Sequence, residues 1–133
     1  LEKSPEYEQV PVKPETIAAV KEGMMAVAEG SEGTAQGLFD NVIYNGKKVK
    51  VAGKTGTAET GKQNASSNAL FVSYAPADDP KIAIAVVIER GAWGSYAAPV
   101  AKDILEAYFN QNNSTKIDDK VKSEDVIFTR EIN

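Results

Sequence analysis

The amino-acid sequence predicts an α+β fold in which an antiparallel sheet of at least three strands is flanked by helices. Two segments carry the periodicity of amphipathic helices, and the region between them holds strand-like apolar runs joined by short connections. Strands with short connections tend to pair with their sequence neighbours as antiparallel partners. A block of strands bounded by helices is typical of the α+β class.

The first helix is predicted over residues 14–29. Pro14 suits a first helical position, and Glu15 lies near the positive end of the helix dipole. Gly30 is expected to end the helix. Apolar side chains recur at spacings of three and four residues, as expected for one buried helix face, at Ile17, Val20, Met24 and Val27. Met24 and Met25 are interpreted as core fillers.

The strands are predicted over 48–57, 70–75 and 81–89. Asn45-Gly46 is a strong signal for a hairpin that joins 42–44 to the first of these strands. The 81–89 segment is apolar at both alternating sets of positions, which predicts a strand that is covered on both faces and lies inside the sheet. Lys54-Thr55-Gly56 would then lie on an outer strand.

A second helix is predicted to begin at Pro99 and to cover one face of the sheet. Its apolar positions are Val100, Ile104 and Tyr108, with Ala101 and Leu105 alongside. We therefore divide the chain into a leader over 1–13 from the upstream part of a domain, a folded part over 14–109 and a polar C-terminal tail over 110–133.

The composition excludes several kinds of chemistry. The 133 residues include neither Cys nor His, so they offer no Cys/His zinc site, thiol nucleophile or imidazole base, and we predict no metal and no cofactor. Its 15 basic and 19 acidic residues give a net charge of −4 without a dense basic stripe, which argues against nucleic-acid binding. The longest apolar run, 82–88, is far shorter than the roughly 20 residues that cross a bilayer.

Lys54-Thr55-Gly56 matches a motif of the serine enzymes that react with penicillin. A Lys beside an acyl-transfer site stabilises negative charge that develops there. Gly56 lets a substrate approach the strand backbone closely. Thr55 and Thr57 carry hydroxyls suited to a carboxylate, and the backbone N–H of Thr57 can point at an oxyanion. An isolated match of this kind is more often a solvated strand Lys followed by a turn, so its surroundings decide the interpretation.

Four blocks occur in an order and spacing that resemble the monofunctional, class B penicillin-binding proteins. They are 51–59, Asn68 with 71–76, the apolar strand that ends at Glu89, and 97–101. The resemblance covers about residues 14–109 and includes Gly23-Met24 and Gly33-Thr34-Ala35. It implies the C-terminal part of a transpeptidase domain, whose fold is shared with serine β-lactamases.

The resemblance further implies a peptidoglycan D,D-transpeptidase that cross-links stem peptides and binds β-lactams at the extracytoplasmic face of a bacterial cell membrane. It gives catalytic roles to Lys54 and Thr57, and substrate contacts to Thr55, Gly56 and Thr57. It makes the upstream half of the same protein a partner of this chain. Such a protein would act in cell-wall synthesis, cell shape and antibiotic resistance.

The family's nucleophile lies in Ser-x-x-Lys, and no Ser of this chain has Lys three residues later. The chain alone is therefore expected to be inactive. Ser66-Ser67-Asn68 resembles the second family motif, Ser-x-Asn, but follows Lys54-Thr55-Gly56 instead of preceding it, so we interpret it as coincidence. Two alternatives stay open: a non-catalytic binding or sensor module with this fold, and a serine β-lactamase, against which the sequence around Lys54 argues.

Three other side chains have simpler interpretations. Trp93 could line the rim of a cleft, but a half-buried packing anchor is the preferred prediction. Glu59 and Glu89 are interpreted as solvated charges.

Overall fold

The computed structural model describes residues 11–61 and 65–114. Most of the predicted leader and residues 115–133 of the predicted tail lie outside this part of the chain. No helix within it is long and apolar enough to span a bilayer. The elements are helix α1 (Pro14–Glu29), strands β1 (Ile43–Tyr44), β2 (Lys47–Lys48), β3 (Ala52–Ala58), β4 (Asn68–Ala75) and β5 (Ile82–Ile88), a 3-10 helix (Gly94–Tyr96) and helix α2 (Ala98–Ser114).

The three longer strands form one antiparallel sheet in the order β3-β4-β5. Thr55 of β3 pairs with Phe71 of β4, which in turn pairs with Val86 of β5. The predicted α+β fold with a three-stranded antiparallel sheet is therefore confirmed. Lys54 lies on β3, an outer strand of this sheet, as predicted.

The predicted hairpin is present but forms a sheet of its own. β1 pairs with β2, and Asn45 and Gly46 between them have φ angles of 50° and 72°. Two consecutive positive φ angles are the geometry that Asn-Gly favours in a two-residue hairpin turn. The predicted strand over 48–57 is therefore interrupted, because Lys48 pairs within the small hairpin and β3 begins only at Ala52.

The prediction that β5 lies inside the sheet is wrong for the part of the chain that the structure covers. β4 is the middle strand, and β5 is the second outer strand. Its side chains alternate between half-buried Ile82, Ile84, Val86 and Ile88 and exposed Ala83, Ala85 and Val87. Only the set of half-buried side chains packs against the hydrophobic core. The apolar pattern on the other face of β5 is therefore left largely exposed by the described residues.

The side chains of the sheet divide between a core face and an open face. The core face carries Phe71 of β4 and the half-buried side chains of β5, and α2 packs on it. Phe39, which follows α1, stacks on Phe71 with ring centroids 5.8 Å apart. The open face carries Lys54, Val72 and Val87, all exposed. The hydrophobic core therefore lies on one side of the sheet only.

The predicted buried faces of both helices are confirmed only in part. In α1, Ile17 and Val20 are exposed and Ala28 is buried. Met24, Met25 and Val27 are half-buried, and Val27 packs against the core. In α2, Val100 and Ile104 are exposed, whereas Ala101 and Leu105, which were predicted alongside them, are buried together with Phe109. Tyr108 packs against the same core. The prediction followed the larger aliphatic side chains. The small side chains of Ala97 and Ala98, which are both buried, let the start of the helix come close to the sheet. The helix also continues past Asn110 to Ser114.

Lys48 connects the end of α1 to the segment before the hairpin. Its Nζ lies 2.8 Å from Glu29 Oε2 and 2.6 Å from Asp40 Oδ1. The hydrogen bond to Asp40, followed by that to Glu29, raises the pKa of Lys48 above its ordinary value of 10.5. A lysine whose pKa is raised by folding stabilises the folded state fully at pH values below its ordinary pKa. This stabilisation is lost as the pH rises through the raised pKa. Exposed pairs of this kind contribute about 0–1 kcal/mol.

The shifted buried stripe of α2 can be tested with two neighbouring substitutions. Leu105 is 0% exposed and Ile104 is 40% exposed. Leu105→Ala should lower the free energy of unfolding by about 2–5 kcal/mol, because it leaves a cavity against the sheet. Ile104→Ala should change it by about 0.5 kcal/mol or less. Denaturant unfolding of the complete protein measures both, and equal losses would contradict this packing.

Candidate active site

The candidate active site lies on β3, where the chain alternates between the two faces of the sheet. Lys54 and Gly56 belong to the open face, and Thr55 and Thr57 belong to the core face. Lys54 and Thr57 are exposed, whereas Thr55 and Gly56 are half-buried. The four predicted site residues are therefore consecutive on an outer strand. None of them is buried, but Lys54 lies on one face of the sheet and the two threonine side chains lie on the other.

The ammonium group of Lys54 stays close to its own strand. Its Nζ donates a hydrogen bond to the carbonyl oxygen of Thr55 at 2.7 Å. Across residues 11–61 and 65–114, no carboxylate forms an ion pair with it. Lys54 also lines a groove of about 430 Å³ with the C-terminal half of α1 and the turn at 30–34. The positive charge is thus available to an anion that enters beside β3.

Thr55 contacts the segment that follows α1. Its Oγ1 lies 2.9 Å from Oγ1 of Thr34, and either hydroxyl can be the donor. Thr34 reaches this position because the chain folds back on α1, with the N–H of Ala35 donating to the carbonyl oxygen of Val27 at 3.0 Å. A Cβ atom on Gly33 would collide with the carbonyl oxygens of Ala26 and Val27, so the close turn requires glycine there.

Thr57 is held from the loop between β5 and α2. The backbone N–H of Gly94 donates to Thr57 Oγ1 at 3.0 Å. Gly94 is buried against the backbone of Gly56, and a Cβ atom on Gly94 would collide with the Gly56 carbonyl group. The loop can therefore approach this part of β3 only with glycine at position 94.

The same loop is anchored at its other end by the start of β4. Asn68 Oδ1 accepts a hydrogen bond from the N–H of Arg90 at 3.0 Å, and the carbonyl oxygen of Ser67 accepts one from the N–H of Ala92 at 2.9 Å. Arg90 and Ala92 both have positive φ angles, of 54° and 65°, so these bonds fix an unusual backbone path. The Ser67 carbonyl group and the Asn68 side chain thus hold this loop in place.

Two aromatic residues of the loop are exposed. Trp93 is 65% exposed and Tyr96 is 59% exposed, on either side of the Gly94 contact to Thr57. The prediction that Trp93 is a half-buried packing anchor is therefore wrong. Gly94 fills the space between the loop and β3, and the neighbouring ring is left outside. Glu59 and Glu89 are exposed, as expected for solvated charges.

Sequence reasoning missed two residues that contact the motif, Thr34 and Gly94. Gly33-Thr34-Ala35 belongs to the resemblance, but the sequence does not connect it to β3, and Gly94 is not among the predicted residues. The available signals were a Gly-Thr pair after a helix and a Gly beside an aromatic residue. Such signals indicate tight turns and do not reveal which strand the turn will contact.

The arrangement offers a cation, two threonine hydroxyls and a strand edge that has no strand partner among the described residues. The part of the chain covered by the structure contains no group of three or more His, Cys, Asp or Glu that could hold a metal ion. The chemistry that these groups can perform is anion binding and charge stabilisation next to a peptide bound along β3.

Comparison with known proteins identifies the family. The model of the penicillin binding protein transpeptidase domain matches residues 2–106. The peptidoglycan D,D-transpeptidase MrdA of Haemophilus influenzae is 36% identical over 70% of this chain and 16% of its own length. Penicillin-binding protein 2B of Streptococcus pneumoniae is 34% identical over 77% of this chain and 15% of its own length. The chain thus spans a small part of the length of these relatives.

Solved structures show the same likeness. PBP2 of Pseudomonas aeruginosa, in complex with WCK 5153, aligns with a TM-score of 0.65 and 36% identity over 81% of this chain and 23% of that one. The imipenem acyl-enzyme complex of penicillin-binding protein A from M. tuberculosis aligns with a TM-score of 0.56 and 36% identity over 76% of this chain and 21% of that one. The matched part runs through α1, all the strands and the first half of α2. The chain therefore belongs to the penicillin-binding protein transpeptidase family, as the C-terminal part of the domain found in its class B members.

Proposed function

We propose that this chain supplies the Lys-Thr-Gly side of the active site in a peptidoglycan D,D-transpeptidase. The observation that carries the proposal is the position of Lys54 to Thr57 on an outer strand, with one edge unpaired among the residues that the structure covers. The relatives named as peptidoglycan D,D-transpeptidases and the β-lactam acyl-enzyme structure support this assignment.

The proposed reaction is acyl transfer through a serine of the upstream part of the protein. The serine oxygen attacks the carbonyl carbon between the two D-Ala residues of a stem peptide, its proton passes to the leaving amine, and D-Ala departs. An amine of a second stem peptide then attacks the ester carbon, loses a proton and releases the serine. A β-lactam acylates the same serine by opening its ring.

Each residue of the motif has a role in this proposal. The Lys54 ammonium stabilises negative charge in the site, and the Thr57 N–H donates to the oxyanion of the tetrahedral intermediate. The hydroxyls of Thr55 and Thr57 bind the terminal carboxylate of the peptide or the β-lactam carboxylate. Gly56, which presents no side chain to the open face, lets the ligand lie along the strand.

The open face of the sheet is the proposed contact with the upstream half of the domain. Val87, 62% exposed, and Val72, 44% exposed, lie there. Met24 of α1 bounds a cleft of about 370 Å³ together with Val72, Tyr74 and Ala83. An apolar surface shared by a helix and a strand is normally covered in a stable protein. The complete protein would act in cell-wall synthesis at the outer face of the bacterial cell membrane.

The first prediction concerns labelling with a fluorescent penicillin. The complete protein should form an adduct that survives denaturation, whereas the isolated 133-residue chain should form none, because no Ser of the chain has Lys three residues later. Gel fluorescence measures both. A complete protein that stays unlabelled would favour the non-catalytic binding module, and a label that is rapidly hydrolysed would favour a β-lactamase. A stable adduct on a Ser of the isolated chain would contradict the proposal.

The second prediction concerns the cation of β3. In the complete protein, Lys54→Ala should slow acylation by penicillin about 10²- to 10³-fold, the usual effect of losing one preorganised electrostatic group. Lys47→Ala removes an exposed lysine of the separate hairpin and serves as the matched control. Stopped-flow or time-resolved labelling gives the rates. Similar rates for the Lys54 variant and its parent would exclude the proposed role.

The third prediction tests the covered open face. Val87→Asp should destabilise the complete protein by at least about 2 kcal/mol, because it buries a charge without a partner. Val100→Asp places the same change at another exposed valine, on the outer surface of α2, and should have little effect. Thermal unfolding compares the two variants. Equal tolerance of both would show that the open face is not covered.

A further inference from the structure

The hydroxyls of Thr55 and Thr57 must present hydrogens, not lone pairs, if they are to bind a carboxylate. A threonine hydroxyl has one hydrogen to donate and two lone pairs that accept. A carboxylate only accepts. The direction of each hydroxyl therefore decides whether it attracts or repels the ligand, and the residues behind each hydroxyl determine that direction.

At Thr57 the structure fixes the direction in which the hydroxyl hydrogen points. A backbone N–H can only donate, and that of Gly94 is directed at Thr57 Oγ1 at 3.0 Å. One lone pair of the hydroxyl is thereby occupied from the side of the loop. The O–H of Thr57 must then point away from Gly94, and it remains available for an acceptor in the site.

At Thr55 the equivalent partner is the side chain of Thr34. The two Oγ1 atoms are 2.9 Å apart, and a hydroxyl pair can be polarised in either sense. If Thr55 donated to Thr34, it would present only a lone pair to the ligand. If Thr34 donates, the Thr55 O–H is free, and a chain from Thr34 through Thr55 to a carboxylate is strengthened because each bond polarises the next.

We propose that Thr34 is a positioning residue for ligand binding: its hydroxyl donates to Thr55 Oγ1 and directs the Thr55 O–H toward the carboxylate of the ligand. The inference rests on the proposed function, since it concerns the ligand of the same site. Thr34 acts through Thr55 and is not itself in contact with the reacting atoms. Thr34 also lines the groove beside α1 to which Lys54 contributes.

The local fold is consistent with this task. The turn that carries Thr34 packs tightly on α1 through Gly33, and Ala35 after it is buried. Thr34 itself is exposed. Replacing its side chain should therefore leave the hydrophobic core intact and change only the hydrogen bond to Thr55.

The test compares two ligands that differ in one charge. Acylation of the complete protein is measured with benzylpenicillin and with its methyl ester, which lacks the carboxylate. Thr34→Val removes the hydroxyl with little change of shape, and Thr34→Ser keeps it. Thr16→Val makes the same chemical change at an exposed position in the first turn of α1 and is the matched control.

We expect Thr34→Val to slow acylation by benzylpenicillin about 3- to 10-fold, the range for one lost hydrogen bond. Acylation by the ester should stay within about twofold of the parent. Thr34→Ser should restore the benzylpenicillin rate, and Thr16→Val should leave both rates unchanged.

An unchanged benzylpenicillin rate in Thr34→Val, an equal loss with both ligands, or a failure of Thr34→Ser to restore the rate would each overturn the inference while the proposed function stands. A parent protein that neither ligand acylates would overturn the proposed function, and the inference with it.

Discussion

The pairing of β3 with β4 determines where the candidate site lies. β4 is the middle strand, and its core-face side chains, among them Ala69 and Phe71, are fully buried. Because β4 occupies one edge of β3, the other edge is left without a strand partner among the described residues. An unpaired edge can form backbone hydrogen bonds with an extended peptide. The motif strand is thus held mainly by the burial of its neighbour, since only Ala52 and Gly53 of β3 are themselves buried.

The features that could be predicted from the sequence depend on local signals. Pro14 marks the start of α1 because its missing N–H costs nothing in a first turn. Asn45-Gly46 marks the hairpin because both residues tolerate positive φ angles. Lys54-Thr55-Gly56 lies on an outer strand because short connections place successive strands side by side. Each of these predictions needs only the residues within a few positions, and each agrees with the structure in kind, although the strand bounds shift.

The features that failed depend on tertiary contacts. The apolar pattern of β5 reports how much surface the strand can bury, and it does not say whether the covering residues belong to the same segment of chain. In α2, the predicted apolar positions divide, because Ala101 and Leu105 are buried whereas Val100 and Ile104 are exposed, and only the packing of the helix on the sheet decides between them. The contacts of Thr34 and Gly94 with β3 join residues 21 and 37 positions apart. A pattern in the local sequence cannot reveal contacts between residues so far apart in the chain.

The two threonine contacts resolve a conflict that every peptide-binding edge strand faces. The edge must stay free for the ligand, yet an unsupported edge strand is mobile and prone to pair with the wrong chain. Thr34 and Gly94 hold β3 through the side-chain hydroxyls of Thr55 and Thr57, and no described strand pairs with its outer edge. Threonine suits this arrangement because its branched Cβ favours strand geometry and restricts χ1. A hydrogen bond to Oγ1 therefore fixes the strand backbone as well as the hydroxyl, and rigidity and the proposed carboxylate binding come from the same two side chains.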